Sequence, residues 1–228
     1  MILNIETATT NCSVSIADQG QLIALRELNS KDYSHAEHLH IFIEEVLNIA
    51  GIDKNELSAI AVSKGPGSYT GLRIGVSAAK GLCFALDLPL VSVSTLEALA
   101  LQQPVTDSEL LVSLLDARRD EVYVSVYNHQ LQVKSPVEAK VIEGDSFNHL
   151  KNYNRVYFIG PGAEKCERIA PIENGIYVKD AVPSAKEMAQ LSWNKFNKGF
   201  FEDTAYFEPF YLKDFVVTPS KKKDTLRF

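Results

Sequence analysis

A buried strand that ends in an acid opens this chain, MILNIE over residues 1–6, and the same device starts again at residues 110–116, LLVSLLD. Between and beyond these two points the same order of elements runs through twice. Residues 1–6, 12–17 and 21–28 are short runs of strand formers separated by turn residues, which predicts three antiparallel strands. Over 34–50 the apolar positions Leu39, Phe42, Ile43, Val46, Leu47 and Ala50 fall at helical spacing, with Gly51 placed to end the helix. A strand at 58–63, a glycine-rich turn, a helix at 70–86, a strand at 90–94 and a short helix at 95–102 complete the first set. After the break at Gln102-Gln103-Pro104, strands are expected at 110–115, 121–127 and near 137–142. A short helix near 145–151, a strand at 155–159, a helix near 162–168, a strand at 175–178 and a helix at 184–198 follow. The order is β-β-β-α-β-α-β-α, twice. It predicts an α/β protein of two lobes, 1–103 and 104–228.

Composition narrows the function classes. The charge balance of 23 basic against 29 acidic residues gives −6, with 46% hydrophobic residues. That excludes a disordered chain, and it excludes a protein that holds nucleic acid by bulk positive charge alone. No apolar run reaches membrane-spanning length, and the N-terminus lacks the basic flank of a signal peptide. Cys12, Cys83 and Cys166 are odd in number and far apart, which fits a reducing cytoplasm better than a disulfide framework. No CxxC or Cys/His spacing for zinc is present.

A duplicated three-strand hairpin unit followed by βα units resembles the actin, sugar kinase and heat-shock ATPase superfold (ASKHA). In that superfold the acids ending the first strands face a nucleotide held between the lobes. Residues 65–81 read GPGSYTGLRIGVSAAKG. They closely resemble the GPGSFTGLRIG signature of the bacterial TsaB family, also called YeaZ. Matches in register are Ile5-Glu6-Thr7 with Ser13, Leu115-Asp116-Ala117-Arg118 with Glu121-Val122-Tyr123, and Gly160-Pro161-Gly162-Ala163. Pro209-Phe210-Tyr211-Leu212-Lys213 resembles the family's P-x-Y-L-R, with Lys213 in place of Arg.

The resemblance implies a role in making threonylcarbamoyl adenosine beside the anticodon of tRNA, as a non-catalytic partner and activator of the related catalytic subunit TsaD. It implies TsaE as the associated ATPase, a homodimer as a further state, and tRNA as an indirect partner. TsaD carries I-E-T-S-C-D-E-T after its first strand, where this chain has Thr10 and Asn11 in place of the two acids. The histidines of TsaD's metal-binding N-H-L-E-G-H are matched here by Thr95 and Leu99. Leu cannot ligate a metal and a neutral Thr is a poor lone ligand. The implied state is a scaffold without catalytic residues, metal or cofactor.

The residues themselves leave alternatives. The turn at Gly67-Ser68 could cradle a phosphate, or could simply be a tight strand-to-helix turn, since it lacks the Lys-Ser/Thr of a P-loop. Glu6 and Asp116, with Thr7, Gly160 and Gly162, are candidates for a vestigial nucleotide site. Gly71, Gly75 and Ala79 make a stripe of small residues at i, i+4, i+8. With Ile74 and Ala78 they suit close approach of a partner helix, or packing within the chain. Leu39, Phe42, Ile43 and Val46 on the first helix would join that interface. His35, His38 and His40 do not form a zinc motif, and Ser34 with Glu37 reads as a capping box. The basic tail Ser220-Lys221-Lys222-Lys223 suits either tRNA backbone or a solubilising terminus. The rivals are a small-molecule kinase or ATPase on the same fold, a metallo-glycoprotease, and a self-assembling scaffold that does not pair with TsaD.

Overall fold

The structure is a computed structural model and describes residues 1–30 and 35–213. The capping role expected of Ser34 and the basic tail at 220–223 fall outside the described residues.

In chain order the first half comprises β1 (Ile2–Glu6), β2 (Asn11–Asp18), β3 (Gln21–Asn29), α1 (His35–Ala50), β4 (Ala59–Gly65), α2 (Tyr69–Leu86), β5 (Leu90–Ser94) and α3 (Thr95–Ala100). The second comprises β6 (Glu109–Asp116), β7 (Glu121–Tyr127), β8 (Val133–Val141), β9 (Arg155–Ile159), α4 (Ala163–Ile169), β10 (Gly175–Val178) and α5 (Ala185–Asn197). Each half builds one five-stranded sheet, with orders β3-β2-β1-β4-β5 and β8-β7-β6-β9-β10. Within each the hairpin strands pair antiparallel, and the remaining strands run parallel to the first. The order is the same in both, as a duplication requires.

Two expected elements differ. The helix near 145–151 is only a single 3-10 turn, Asn148–Leu150. Ahead of it the Ser146 hydroxyl accepts from the Glu143 amide at 2.8 Å, a local bond that competes with helix formation. The strand near 137–142 begins earlier, at Val133, although Pro136 lies inside it. Proline cannot donate to a ladder, but β8 is an edge strand, and its register against β7 shifts between Val124 and Val126 opposite the proline.

Four apolar layers hold the molecule. One face of the first sheet, with Leu3, Ile5, Val14 and Val62, packs on Leu39 and Val46 of α1 and on Val76 and Ala79 of α2. One face of the second sheet packs on Ala163 and Cys166 of α4. The other two faces exchange helices. Ile2, Ala59, Ala61, Val91 and Val93 of the first sheet are covered by Ala185 and Met188 of α5, from the second half. Leu111, Leu115 and Ile159 of the second sheet are covered by Leu96 and Leu99 of α3, from the first. A buried bond from Ser192 on α5 to Asn4 on β1, 2.6 Å, fixes one of these exchanges. The Gly-Pro-Gly turns after β4 and β9 also match, with Gly65 at φ +107° and Gly160 at φ +110°, backbone that favours glycine.

Candidate functional site

The β1–β2 turn, residues 7–10, packs against the start of α2. Glu6 ends β1 fully buried. Its Oε1 accepts from the Ala8 amide at 2.6 Å and the Ser63 hydroxyl at 2.8 Å, while Oε2 has no hydrogen-bond partner among the described residues. Burial pushes the carboxyl up to about 7, against the opposing pull of the Ala8 amide and Ser63. Glu6 therefore does not face an open cleft. Next to it, Thr7 Oγ1 donates to the Gly71 carbonyl at 2.8 Å, and the Ser68 amide donates to the Ala8 carbonyl at 2.7 Å. The Ser68 amide of the glycine-rich turn is thus committed to the chain's own backbone rather than open to a phosphate.

The glycine stripe on α2 accommodates this turn. A Cβ at Gly67 would lie 2.4 Å from the Ala8 carbonyl oxygen, one at Gly71 2.1 Å from the Thr7 carbonyl oxygen, and one at Gly75 2.2 Å from Thr7 Oγ1. Gly71, Gly75 and Ala79 are buried in the chain with Leu72, Val76 and Cys83. The expectation that this stripe meets a partner helix is corrected: Thr7 fills it. Leu39, Ile43 and Val46 are likewise core residues under α1. Of the positions expected at an interface, Phe42, Ile74 and Ala78 are half-buried and reach the surface.

Beside that core, α1 and α2 leave a groove of about 720 Å³, lined among others by Ala36, His40, Arg73, Ile74, Ser77 and Leu82. Arg73, Ser77 and Gly81 are exposed and sit one position round the helix from Leu72, Val76 and Lys80. Sequence reasoning counted Gly81 among the small residues of this helix but missed Arg73 and Ser77. The usable signal was Leu72, Val76 and Cys83, whose spacing puts the adjoining glycines inside and residues 73, 77 and 81 outside. Exposed Ile41 and Ile49 on α1, and Phe84 at 89% exposure on α2, add apolar surface to these two helices.

At the end of β6, in the second sheet, Asp116 is half-exposed and paired with the mostly buried Lys165 at 3.0 Å. Lys213 pairs with Glu121 and lies over the Tyr123 ring at 5.9 Å, so the P-x-Y-L-K segment is anchored at the β6–β7 turn. Gly160 and Gly162 pack on Leu114. Neither the α1–α2 groove nor a second cavity of about 760 Å³, bounded by Asn11, Glu27, Gln102, Ser184 and Glu187, is lined by Glu6 or Asp116.

The positions that differ from the TsaD pattern are engaged structurally. Thr10 donates to Asn29 at 2.7 Å, and Asn11 donates to the Pro183 carbonyl at 3.0 Å. Thr95 and Leu99 are fully buried. The three histidines diverge: His35 Nε2 meets the Thr9 carbonyl at 2.7 Å, His38 stacks on Phe42 at 5.5 Å, and His40 lines the groove. Burial lowers the His35 pKa below its ordinary value. Among the described residues no group of three or more His, Cys, Asp or Glu could hold a metal ion.

Comparison with known proteins adds a family. Residues 30–217 match the TsaD family model, described as tRNA N6-adenosine threonylcarbamoyltransferase. The tRNA threonylcarbamoyladenosine biosynthesis protein TsaB of Haemophilus influenzae is 29% identical over 95% of this chain and 94% of its own length. TsaB of Bacillus subtilis is 34% identical over 70% of each chain. A solved structure from Pseudomonas aeruginosa, described as similar to peptidase YEAZ, superposes with a TM-score of 0.82 at 25% identity, covering 93% of this chain and 99% of that one.

Proposed function

The chain belongs to the TsaB (YeaZ) family, related to the TsaD threonylcarbamoyltransferases, and from that premise we propose that it is a non-catalytic subunit that binds and activates a TsaD-like partner in making threonylcarbamoyladenosine in tRNA. The observation that carries the non-catalytic half is the burial of Thr95 and Leu99, where the TsaD resemblance calls for metal-binding histidines. Enclosed apolar and hydroxyl groups give a metal neither ligands nor a route in. The partner enters the α1–α2 groove. A standard interface removes about 800 Å² from each side, which two helix faces can supply. A subunit that does no chemistry acts by binding the partner's active state more tightly than its inactive one. A TsaE-like ATPase joins the same complex, tRNA is met through the complex, and a second copy of the chain occupies the groove when the partner is absent. No helix among the described residues is long and apolar enough to cross a membrane, which accords with work on tRNA in the cytoplasm.

The test is depletion followed by nucleoside mass spectrometry of bulk tRNA. Threonylcarbamoyladenosine falls if the assignment holds; unchanged modification, in a cell without a second TsaB-like protein, refutes it. ATP hydrolysis by the isolated chain that is lost on Glu6→Ala or Asp116→Ala would instead favour the ATPase rival.

A further inference from the structure

Taking the groove as the partner-facing surface argued above, we propose that the β1–β2 turn sets the separation of α1 and α2, with Thr7 and His35 as positioning residues for partner binding. The turn reaches the N-terminal ends of both helices. On α2 it is held by the bond from Thr7 Oγ1 to the Gly71 carbonyl, 2.8 Å, and by the bond from the Ser68 amide to the Ala8 carbonyl, 2.7 Å. On α1 it is held by His35, the first residue of that helix, whose Nε2 lies 2.7 Å from the Thr9 carbonyl. A carbonyl oxygen only accepts, so Nε2 carries the proton and donates. Consecutive residues of one turn thus hold two helices that flank one groove.

The fit on α2 leaves no slack. A Cβ at Gly71 or Gly75 would fall 2.1 Å or 2.2 Å from oxygens of Thr7, so the turn lies against the helix at glycine distance. On α1, His35 and Leu39 are one helical turn apart on the same face, and both are buried. Leu39 lines the groove. Displacement of the turn is therefore passed to groove-lining residues on both helices, although the turn itself does not line the groove.

The experiment reads helix separation and partner binding independently. Spin labels are placed at Glu44→Cys on α1 and Ala85→Cys on α2, both exposed and outside the groove lining, with the three native cysteines buried, and partner binding is measured on the unlabelled chains. In the otherwise unsubstituted chain the label-to-label distribution is narrow. His35→Ala broadens it and weakens binding of a TsaD-like subunit by at least about tenfold. His35→Gln, whose amide can donate to the Thr9 carbonyl, restores both. Thr7→Val, nearly isosteric but without the donor, broadens the distribution as His35→Ala does. A distribution unchanged in both His35→Ala and Thr7→Val overturns the proposal. So does global unfolding by both, which would make the turn a core element and nothing more. If the unsubstituted chain fails to bind the partner, the partner assignment falls while the label distances still decide the role of the turn.

Discussion

Gly75→Ala separates the two things a glycine can do in a helix. On propensity alone alanine is favoured by about 1 kcal/mol. Against that, the new Cβ would lie 2.2 Å from Thr7 Oγ1, closer than side-chain atoms can sit. Thr7 must rotate, giving up its 2.8 Å bond to the Gly71 carbonyl. Overpacking costs about 1–3 kcal/mol and a lost buried hydrogen bond about 1 kcal/mol more, so the net effect is a loss of about 1–3 kcal/mol. For a chain of this length that lowers the melting temperature by roughly 3–10 °C. In a Thr7→Ala background the obstructing hydroxyl is gone. Gly75→Ala should then be neutral or stabilising by up to about 1 kcal/mol, giving a coupling of about 2 kcal/mol between the two sites. Gly71→Ala supplies the contrast: its Cβ would meet the Thr7 backbone oxygen at 2.1 Å, which no side-chain truncation removes. It should destabilise equally in both backgrounds. Urea titrations followed by circular dichroism read all of these values. Equal losses for Gly75→Ala in both backgrounds, or a gain in the wild-type background, would refute the packing described for α2.

Three further outcomes are expected. Glu6 titrates near 7 when folded against 4.5 as its reference value, so between those pH values the folded chain holds more protons than the unfolded one. Its contribution is present below 4.5 and is lost as pH rises to about 7, by about 3 kcal/mol at most, whereas Glu6→Gln keeps both bonds to Oε1 and removes the dependence; a wild-type chain that gains stability over this window relative to Glu6→Gln contradicts the assignment. Arg73→Glu and Ser77→Asp change exposed groove residues and should weaken the TsaD-like partner at least about tenfold with melting shifted by no more than about 2 °C, measured by calorimetry; unaltered affinity in both would move the docking face elsewhere. Ser192→Ala removes the 2.6 Å buried bond to Asn4 and should cost about 1–2 kcal/mol in denaturant titration. No loss there would detach α5 from β1.

Periodicity and turn chemistry located nearly every element, because apolar spacing records which face of each segment is covered. They do not record what covers it. Gly71, Gly75 and Ala79 have the spacing of a helix–helix contact, and nothing local says whether the approaching backbone is a partner helix or the turn at Thr7. Only Leu72, Val76 and Cys83 beside them signal an interior face. Pro136 weakens a strand signal that the sheet edge then tolerates, and edge position is a property of the whole sheet. The same limit hid the groove: Arg73 and Ser77 are unremarkable polar residues until α1 is placed beside them. The family motifs, by contrast, were legible as unbroken strings, since residues 65–81 combine a backbone turn and a helix start in one local segment.

The exchange of α3 and α5 between the halves has a consequence during synthesis. Ile2, Ala59, Ala61, Val91 and Val93 leave the ribosome early, but the helix that covers them, Ala185–Asn197, emerges near the end. At roughly 5–20 residues per second, one face of the first sheet stays bare for on the order of ten seconds after its last strand is made. The nascent chain therefore passes through a stage in which half its strands are available and their apolar face is uncovered. Chaperones that hold apolar segments during translation would find their target in that face, and would have to release it only when the second half arrives.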